Sequence, residues 1–427
     1  MIFYPLPKAP IPLYPYLYVF LQPDIPRECI SQSLARVLYA IKENIRTRER
    51  EWDIYKKYTN HYEYIHTAIP HKKKSVSKYK PLSRSYFKMV EIVHELQLIQ
   101  IEIFGRAEVS YENASVLYEN PHTPFAKRPI RTFHLAEGPG GFIEAVVNMR
   151  KNPRDVYYGM TILDESNNYG IPAWKKSDYF LDAHPNVVIE TGADGTGNIL
   201  TVANFEYCYT THSSCMDFIT ADGGFDFSTD FNKQELSISR LLFAQIAYAL
   251  IMQKVGGNFV LKIFDCFFAN TVDLLFLLTS FYKTIYITKP QTSRTGNSEK
   301  YVVCKGFLHN SNESFFPFIR DAFLHMANHP EGIVHRFLQI NIPLSFIVKL
   351  EEYNAVFGQK QIENIHNTLS LIEKSSKPER IDALIGHNIL KCIQWCARYN
   401  IPHHSASTPN VFLSSLHTDL HRVPPSV

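Results

Sequence analysis

Three charged residues stand where apolar strands end, and their types suit proton transfer. Lys262 closes the run Asn258-Phe-Val-Leu-Lys262-Ile-Phe, and Asp222 follows Thr220-Ala in front of two glycines. Glu299 lies in Ser293-Arg294-Thr-Gly-Asn297-Ser298-Glu299-Lys300-Tyr301, just before another apolar run. A lysine inside an apolar strand is expensive to bury unless a carboxylate pairs with it. If the three strand ends share one edge of a sheet, the lysine meets both acids there. A structural ion pair is the plain alternative. Three charged groups at the ligand edge favour acid–base chemistry.

A fourth strand end carries a loop, His134-Leu-Ala-Glu137-Gly138-Pro139-Gly140-Gly141-Phe142, with a helix expected after it. Glycines at such a turn let backbone approach a ligand closely and tolerate positive φ. A tight turn with no ligand is the simpler reading. The order Gly-Pro-Gly-Gly-aromatic matches neither the dinucleotide fingerprint nor the phosphate-gripping P-loop, which needs Gly-Lys-Ser/Thr. An adenosine-type ligand without a pyrophosphate fits best. Two further loops lie where such a ligand would extend: Thr161-Ile-Leu-Asp164, and Gly192-Ala-Asp194-Gly195-Thr196-Gly197-Asn198. A carboxylate at either place could accept hydrogen bonds from adenine or ribose. For Asp194 the alternative is service to its own turn.

The elements that must position these groups follow from periodicity. Short β-branched runs at 132–136, 156–162, 186–190, 216–221, 257–263, 284–288 and 301–305 alternate with amphipathic stretches such as 234–254 and 270–282. Strand–helix alternation predicts an α/β fold with a mostly parallel sheet covered on both faces. The loop between the last two strands is too short for a helix, so that pair is expected to be antiparallel. Residues 1–80 are aromatic and Pro-rich at first, then charged and helical in pattern. They close on the basic run His71-Lys72-Lys73-Lys74, followed by Lys78 and Lys80. From 309 the alternation stops. Helices are expected at 361–371 and 381–399, and a polar, Pro-rich tail from Pro402. The expected organisation is an extension over 1–80, an α/β domain over 81–308 and a helical domain over 309–427.

Taken with Gly-Pro-Gly-Gly-Phe142, the residues Ala-Asp222-Gly-Gly, Val-Leu-Lys262 and Lys289-Pro-x-Thr-Ser-Arg294-x-x-Asn-Ser-Glu299-Lys-Tyr-x-Val-Cys304 resemble the FtsJ-like RNA 2′-O-methyltransferases. The resemblance covers residues 80–308, and its most specific part is the Ser-Arg to Lys-Tyr run. It is closer to the branch that methylates the first transcribed nucleotide of capped mRNA. It implies a Rossmann-like methyltransferase fold with seven strands, the last antiparallel. It also implies S-adenosylmethionine as methyl donor, with no metal needed for the transfer step, and a Lys-Asp-Lys-Glu tetrad. The first lysine of that tetrad falls on Lys88, in Ser83-Arg84-Ser85-Tyr86-Phe87-Lys88-Met89. Lys262 would take the ribose proton, Asp222 and Glu299 would orient it, and Lys88 would bias the set and steer the hydroxyl. Glu137 to Phe142, Thr161, Asp194 and Asp222 are the expected cofactor contacts.

The resemblance also implies RNA as partner, with the capped 5′ end of mRNA foremost and capping or transcription machinery in attendance. Lys72, Lys73, Lys74, Arg84, Arg294 and Lys300 are the expected phosphate contacts, and aromatic rings would hold a cationic cap. The rivals are a methyltransferase of ribosomal or internal RNA and a non-catalytic RNA-binding protein that keeps the fold. One departure matters. The family's first strand usually ends in an aspartate at the position of His134, with a small residue at that of Glu137. Either Glu137 takes over the methionine amino group or cofactor binding is weakened.

Whole-chain composition agrees with local and not bulk recognition. Lys+Arg 44 against Asp+Glu 41 leaves a net charge of +3, so polyanion binding must come from patches. Seven scattered cysteines predict a reduced chain in the cytoplasm. Cys392 and Cys396, near His403 and His404, lack the paired knuckle of a zinc site. No apolar run is long enough to span a bilayer, so a soluble protein is expected.

Overall fold

The computed structural model describes residues 1–100, 128–163, 173–224, 232, 234–374 and 378–404. The chain clusters into two compact units. The first holds Met1–Tyr39, Pro81–Pro290 and Ser298–Gln359; the second holds Ala40–Lys80, Gln291–Asn297 and Lys360–Val427. In chain order the elements begin with β1 (Phe3–Pro5), β2 (Leu17–Gln22), α1 (Gln32–Arg46), α2 (Glu49–Thr59), α3 (Ser85–Leu96), β3 (Arg131–Leu135), α4 (Gly141–Arg150) and β4 (Val156–Met160). Next come α5 (Asp178–Ala183), β5 (Val187–Ile189), α6 (Val202–His212), β6 (Met216–Ala221), α7 (Gln234–Ser237), α8 (Ser239–Met252) and β7 (Gln253–Ile263). The chain continues through α9 (Ala269–Phe281), β8 (Tyr282–Thr288), β9 (Lys300–Phe307), α10 (Phe316–Asn328), β10 (Ile333–Leu338), α11 (Leu344–Glu373) and α12 (Pro378–Arg398).

One sheet organises the first unit, in the order β1-β8-β9-β7-β6-β3-β4-β5. Strands β5, β4, β3, β6 and β7 run parallel. Strand β9 is inserted antiparallel between β7 and β8. The expected seven strands with a reversed last one are therefore present, and β1 adds an eighth against the edge of β8. Its three residues are too few to show a period, and prolines around them mask it. Strand β10 is the other addition. It pairs antiparallel with β2, and Asp273 of α9 receives the backbone N–H of Phe337 at 2.8 Å and the guanidinium of Arg336 at 2.7 Å. A strand whose partner lies some three hundred residues away leaves no local pattern beyond residue 309.

Central strands are buried on both faces, so they read as unbroken apolar runs. Helix α8 is apolar all round for the same reason: every side chain but that of Arg240 is buried, because it packs on β6 and β7 and also under α6 and α10. Parallel strands feeding helices bring the carboxyl ends of β3, β4, β6 and β7 to one edge, where ligands of such sheets bind.

The second unit is mainly helical. Ile45, Trp52 and Ile365 form its small core, and α12 lies against α2 and a short turn at Glu63–Ile65. Cys392 and Cys396 are buried there, the first with its Sγ 3.4 Å from the carbonyl of His61. Among the described residues no three metal-ligating side chains converge, and no helix is long and apolar enough to cross a membrane. Asp164 and the tail beyond 404 fall outside the described residues.

Candidate active site

The tetrad expected from the sequence assembles within the first unit. Asp222 directly follows β6, Lys262 is the penultimate residue of β7, and Glu299 directly precedes β9. Pairing of Lys262 with Tyr301 across β7 and β9 brings the last two to the same level of the sheet. Lys88 arrives from the first turns of α3. The start of that helix is held by Glu144 of α4, which accepts the N–H of Leu82 at 2.8 Å. Close approach is made possible by Gly141, where a Cβ would stand 2.1 Å from Ser85 Oγ and 2.2 Å from Ser83 Oγ.

Two ion pairs result. Lys262 Nζ lies 3.2 Å from Asp222 Oδ1 and donates to the carbonyl oxygen of the same residue at 2.6 Å. Lys88 Nζ lies 2.7 Å and 2.8 Å from the two oxygens of Glu299. Tyr301 links the pairs, its hydroxyl 3.2 Å from Glu299 Oε1 and 3.4 Å from Asp222 Oδ1. It carries one proton and can donate to one acid at a time. Burial pushes the Lys88 ammonium below its ordinary range; Glu299 and Asp222 pull it back up, and Arg84 one turn away pushes it down again. For Glu299, burial alone would raise the carboxyl, but Lys88, Lys262 and Lys289 outweigh it and hold it well below the usual carboxylate range. Sequence reasoning missed Tyr301, although residues two apart on a strand share a face.

Behind Glu299 stands a second layer, also missed. Lys289 is half-buried, donates to the Glu299 carbonyl oxygen at 2.8 Å, and is pushed down to about 7 by desolvation against the pull of Glu299. Lys300 belongs to the same layer, which corrects its assignment as a phosphate contact. It is 4% exposed, 3.5 Å from Asp265 and bonded to the Ser298 carbonyl at 3.0 Å, so its charge faces inward.

The glycine loop turns from β3 into α4 with Gly140 at a φ of +106°. Much of the room its glycines leave is taken by the protein itself: a Cβ on Gly138 would lie 2.3 Å from the Ala173 carbonyl oxygen. The carbonyl of Pro139 accepts the Ser177 hydroxyl at 2.7 Å. Phe142 was expected to touch a ligand, but its ring is fully buried, 5.9 Å from that of Tyr301. His134 is buried with one ring nitrogen 2.9 Å from the Thr132 hydroxyl and the other 2.8 Å from that of Thr220. Burial pushes it down to about 3, so it is neutral and committed to the sheet.

Glu137 behaves differently. Its Oε1 accepts the N–H groups of Phe142 and Ile143 at the start of α4. Its Oε2 is buried with no hydrogen-bond partner among the described residues. A buried polar atom left unpaired costs about 1–3 kcal/mol, so this oxygen is a candidate acceptor for a ligand's donor. Thr161 is buried, with its carbonyl against Gly197. Asp194 serves its own turn: its carboxylate accepts from Thr196 N and Oγ1 at 2.9 and 2.7 Å, Asn204 Nδ2 at 2.8 Å and Thr201 Oγ1 at 3.0 Å. Those bonds, from Thr196 first, lower it to about 2.

Comparison with known proteins places this geometry. The profile of the FtsJ-like methyltransferase family matches residues 81–307, more than half of the chain. The chain belongs to the FtsJ-like methyltransferase family. Among curated relatives, "Cap-specific mRNA (nucleoside-2'-O-)-methyltransferase 1" of Trypanosoma brucei brucei is 30% identical over 60% of this chain and 68% of its own length. "Cap-specific mRNA (nucleoside-2'-O-)-methyltransferase 2" of Pongo abelii is 28% identical over 61% of this chain and 34% of its own. The protein of the same name from Danio rerio is 28% identical over 63% and 37%. The chain thus spans only about a third of the length of several of the relatives it matches.

Methyl transfer in this FtsJ-like family draws on S-adenosylmethionine, and the residues present fit that molecule. Its ammonium group has three donors and a positive charge, which suit the unpaired buried oxygen of Glu137. Asp222 and Lys262 stand at the carboxyl edge of the sheet, where such a ligand would bind.

The remaining basic residues divide by unit. Arg84 is half-buried at the start of α3 in the first unit. Lys72, Lys73 and Lys74 are exposed in the second unit with Lys78 and Lys80, and Lys74, Lys78 and Lys80 lie near enough to His404 to push it down alongside its slight desolvation. Arg294 is committed: its guanidinium grips the buried Glu63 through two bonds of 3.0 and 2.7 Å, leaving only its outer face for a phosphate.

Proposed function

We propose that this FtsJ-like methyltransferase transfers a methyl group from S-adenosylmethionine to the ribose 2′-hydroxyl of RNA, and that the first transcribed nucleotide of capped mRNA is its target. The observation that supports this most is the pairing of Lys262 with Asp222 beside the Lys88–Glu299 pair, at the carboxyl edge of the sheet. S-adenosylmethionine brings a methyl group already activated by its sulfonium charge. What the chain must add is a base, alignment and a dry site. Lys262 accepts the hydroxyl proton at Nζ. With both lysines charged the four groups sum to zero, and the methyl donor would add a positive charge beside them. Asp222 fixes the direction of Nζ through its carbonyl and carboxylate. Lys88, held by Glu299, presents a donor to the ribose oxygen. Tyr301 keeps the two acids at fixed separation.

Lys72, Lys73, Lys74 and Arg84 are proposed phosphate contacts, with the outer face of Arg294 added. Seven free cysteines suit a reducing compartment, so cytoplasmic action is part of the proposal. Labelled methyl transfer to a capped RNA and to the same RNA without its cap tests the reading. Strong preference for the capped form supports it. Equal transfer to both redirects it to internal RNA, and RNA binding with no transfer leaves a non-catalytic RNA-binding protein.

A further inference from the structure

We propose that cofactor binding at Glu137 is proton-coupled: the side chain waits as a neutral acid, and the arriving ammonium group displaces its proton to solvent. The inference rests on S-adenosylmethionine being the methyl donor, and it adds a thermodynamic signature to that reading.

The geometry assigns the protonation state. Glu137 is buried, and its Oε1 takes two backbone N–H donors from α4. That oxygen is therefore the carbonyl-like one. Oε2 has no hydrogen-bond partner among the described residues. An ionised carboxylate would leave a bare, desolvated charge there, whereas a hydroxyl leaves only a weak dipole. The two charged groups nearest to it act in opposite directions. Asp222, at the end of β6, opposes ionisation, and Lys262 of β7 favours it more weakly than the amides of α4 do. Burial is the largest effect and raises the carboxyl well above its usual range.

An ammonium ion at Oε2 reverses this. It supplies the missing donors and a compensating charge, so the carboxylate becomes the stable form. The balance is simple: the neutral acid and the ammonium give a carboxylate–ammonium pair and one proton, which leaves to the buffer. His134 takes no part, since both its ring nitrogens are held by threonine hydroxyls. The sign follows. Below the titration of free Glu137 the affinity must rise with pH, by about tenfold per pH unit for one proton released, and then level off.

Calorimetry on the full chain measures this directly. Binding of S-adenosylmethionine and of S-adenosylhomocysteine is followed at one mildly acidic pH in buffers of different ionisation enthalpy. Wild type should release about one proton per site, and Glu137→Gln should bind more weakly, release close to none and lose the pH slope. Binding by wild type without proton release overturns the inference while leaving the methyl donor in place. No binding of either compound overturns both. Should the glutamine variant fold poorly, the wild-type buffer series still decides, and Glu137→Asp supplies a second variant that should keep the release.

Discussion

Lys262 and Lys300 are both lysines at strand ends of the same sheet edge, and they have different fates. Lys262 shares its Nζ between the carboxylate and the carbonyl of Asp222 at the open edge. Replacing it with alanine should lower methyl transfer by at least about 10²–10⁴-fold, the usual contribution of a positioned base. Cofactor affinity, read by calorimetry, should stay near wild type. Lys300 is turned inward to Asp265. Lys300→Ala should cost about 1–3 kcal/mol in denaturant unfolding, because it removes the ammonium that faces the buried Asp265 carboxylate. The salt dependence of RNA binding should not change. From sequence alone Lys262 takes the proton and Lys300 a phosphate, since spacing carries strand position but not the direction of a side chain's charged end. The same limit applies to Phe142, where an aromatic next to a glycine loop turned out to belong to the core.

At the scale of elements, α4 and its flanks set the site. Its last residue, Arg150, is fully buried and makes two bonds to Asp155, at 2.7 and 2.9 Å, tying the helix end to the start of β4. Removing one partner leaves a buried charge, so Asp155→Ala should destabilise the fold by about 3–5 kcal/mol in a denaturant titration. The first residue of α4, Gly141, has the opposite job of leaving room for α3. Gly141→Ala should shift α3 and with it Lys88, lowering kcat far more than cofactor affinity; unchanged kcat would sink that role. Strands β3 to β9 were legible because each carries an apolar, β-branched run closed by turn residues. Strands β1 and β10 were not, because their order comes from partners distant in sequence. The need for glycine at 141 was read as access for a ligand, while the structure shows it as access for a helix.

For the whole molecule, a net charge of +3 gives little long-range attraction for RNA. On the proposed function, binding depends on clusters such as Lys72, Lys73, Lys74, Lys78 and Lys80, and each phosphate contact removed should reduce the slope of log K against log salt by about 0.7 for single-stranded RNA. Alanine at all five should flatten that slope with folding stability unchanged, as measured by a salt titration beside thermal unfolding. The family profile stops at residue 307, so what the helical second unit contributes beyond phosphate contacts is a matter for such variants. The central claim, a lysine-based 2′-O-methyl transfer, has a more direct test. Capped RNA is incubated with labelled S-adenosylmethionine and either wild type or Lys262→Ala, then digested to nucleosides and analysed by mass spectrometry. The expected result is a 2′-O-methylated first transcribed nucleotide with wild type, and its loss with Lys262→Ala at unchanged cofactor affinity. Methylation on a base, or substantial 2′-O-methylation by Lys262→Ala, would contradict it.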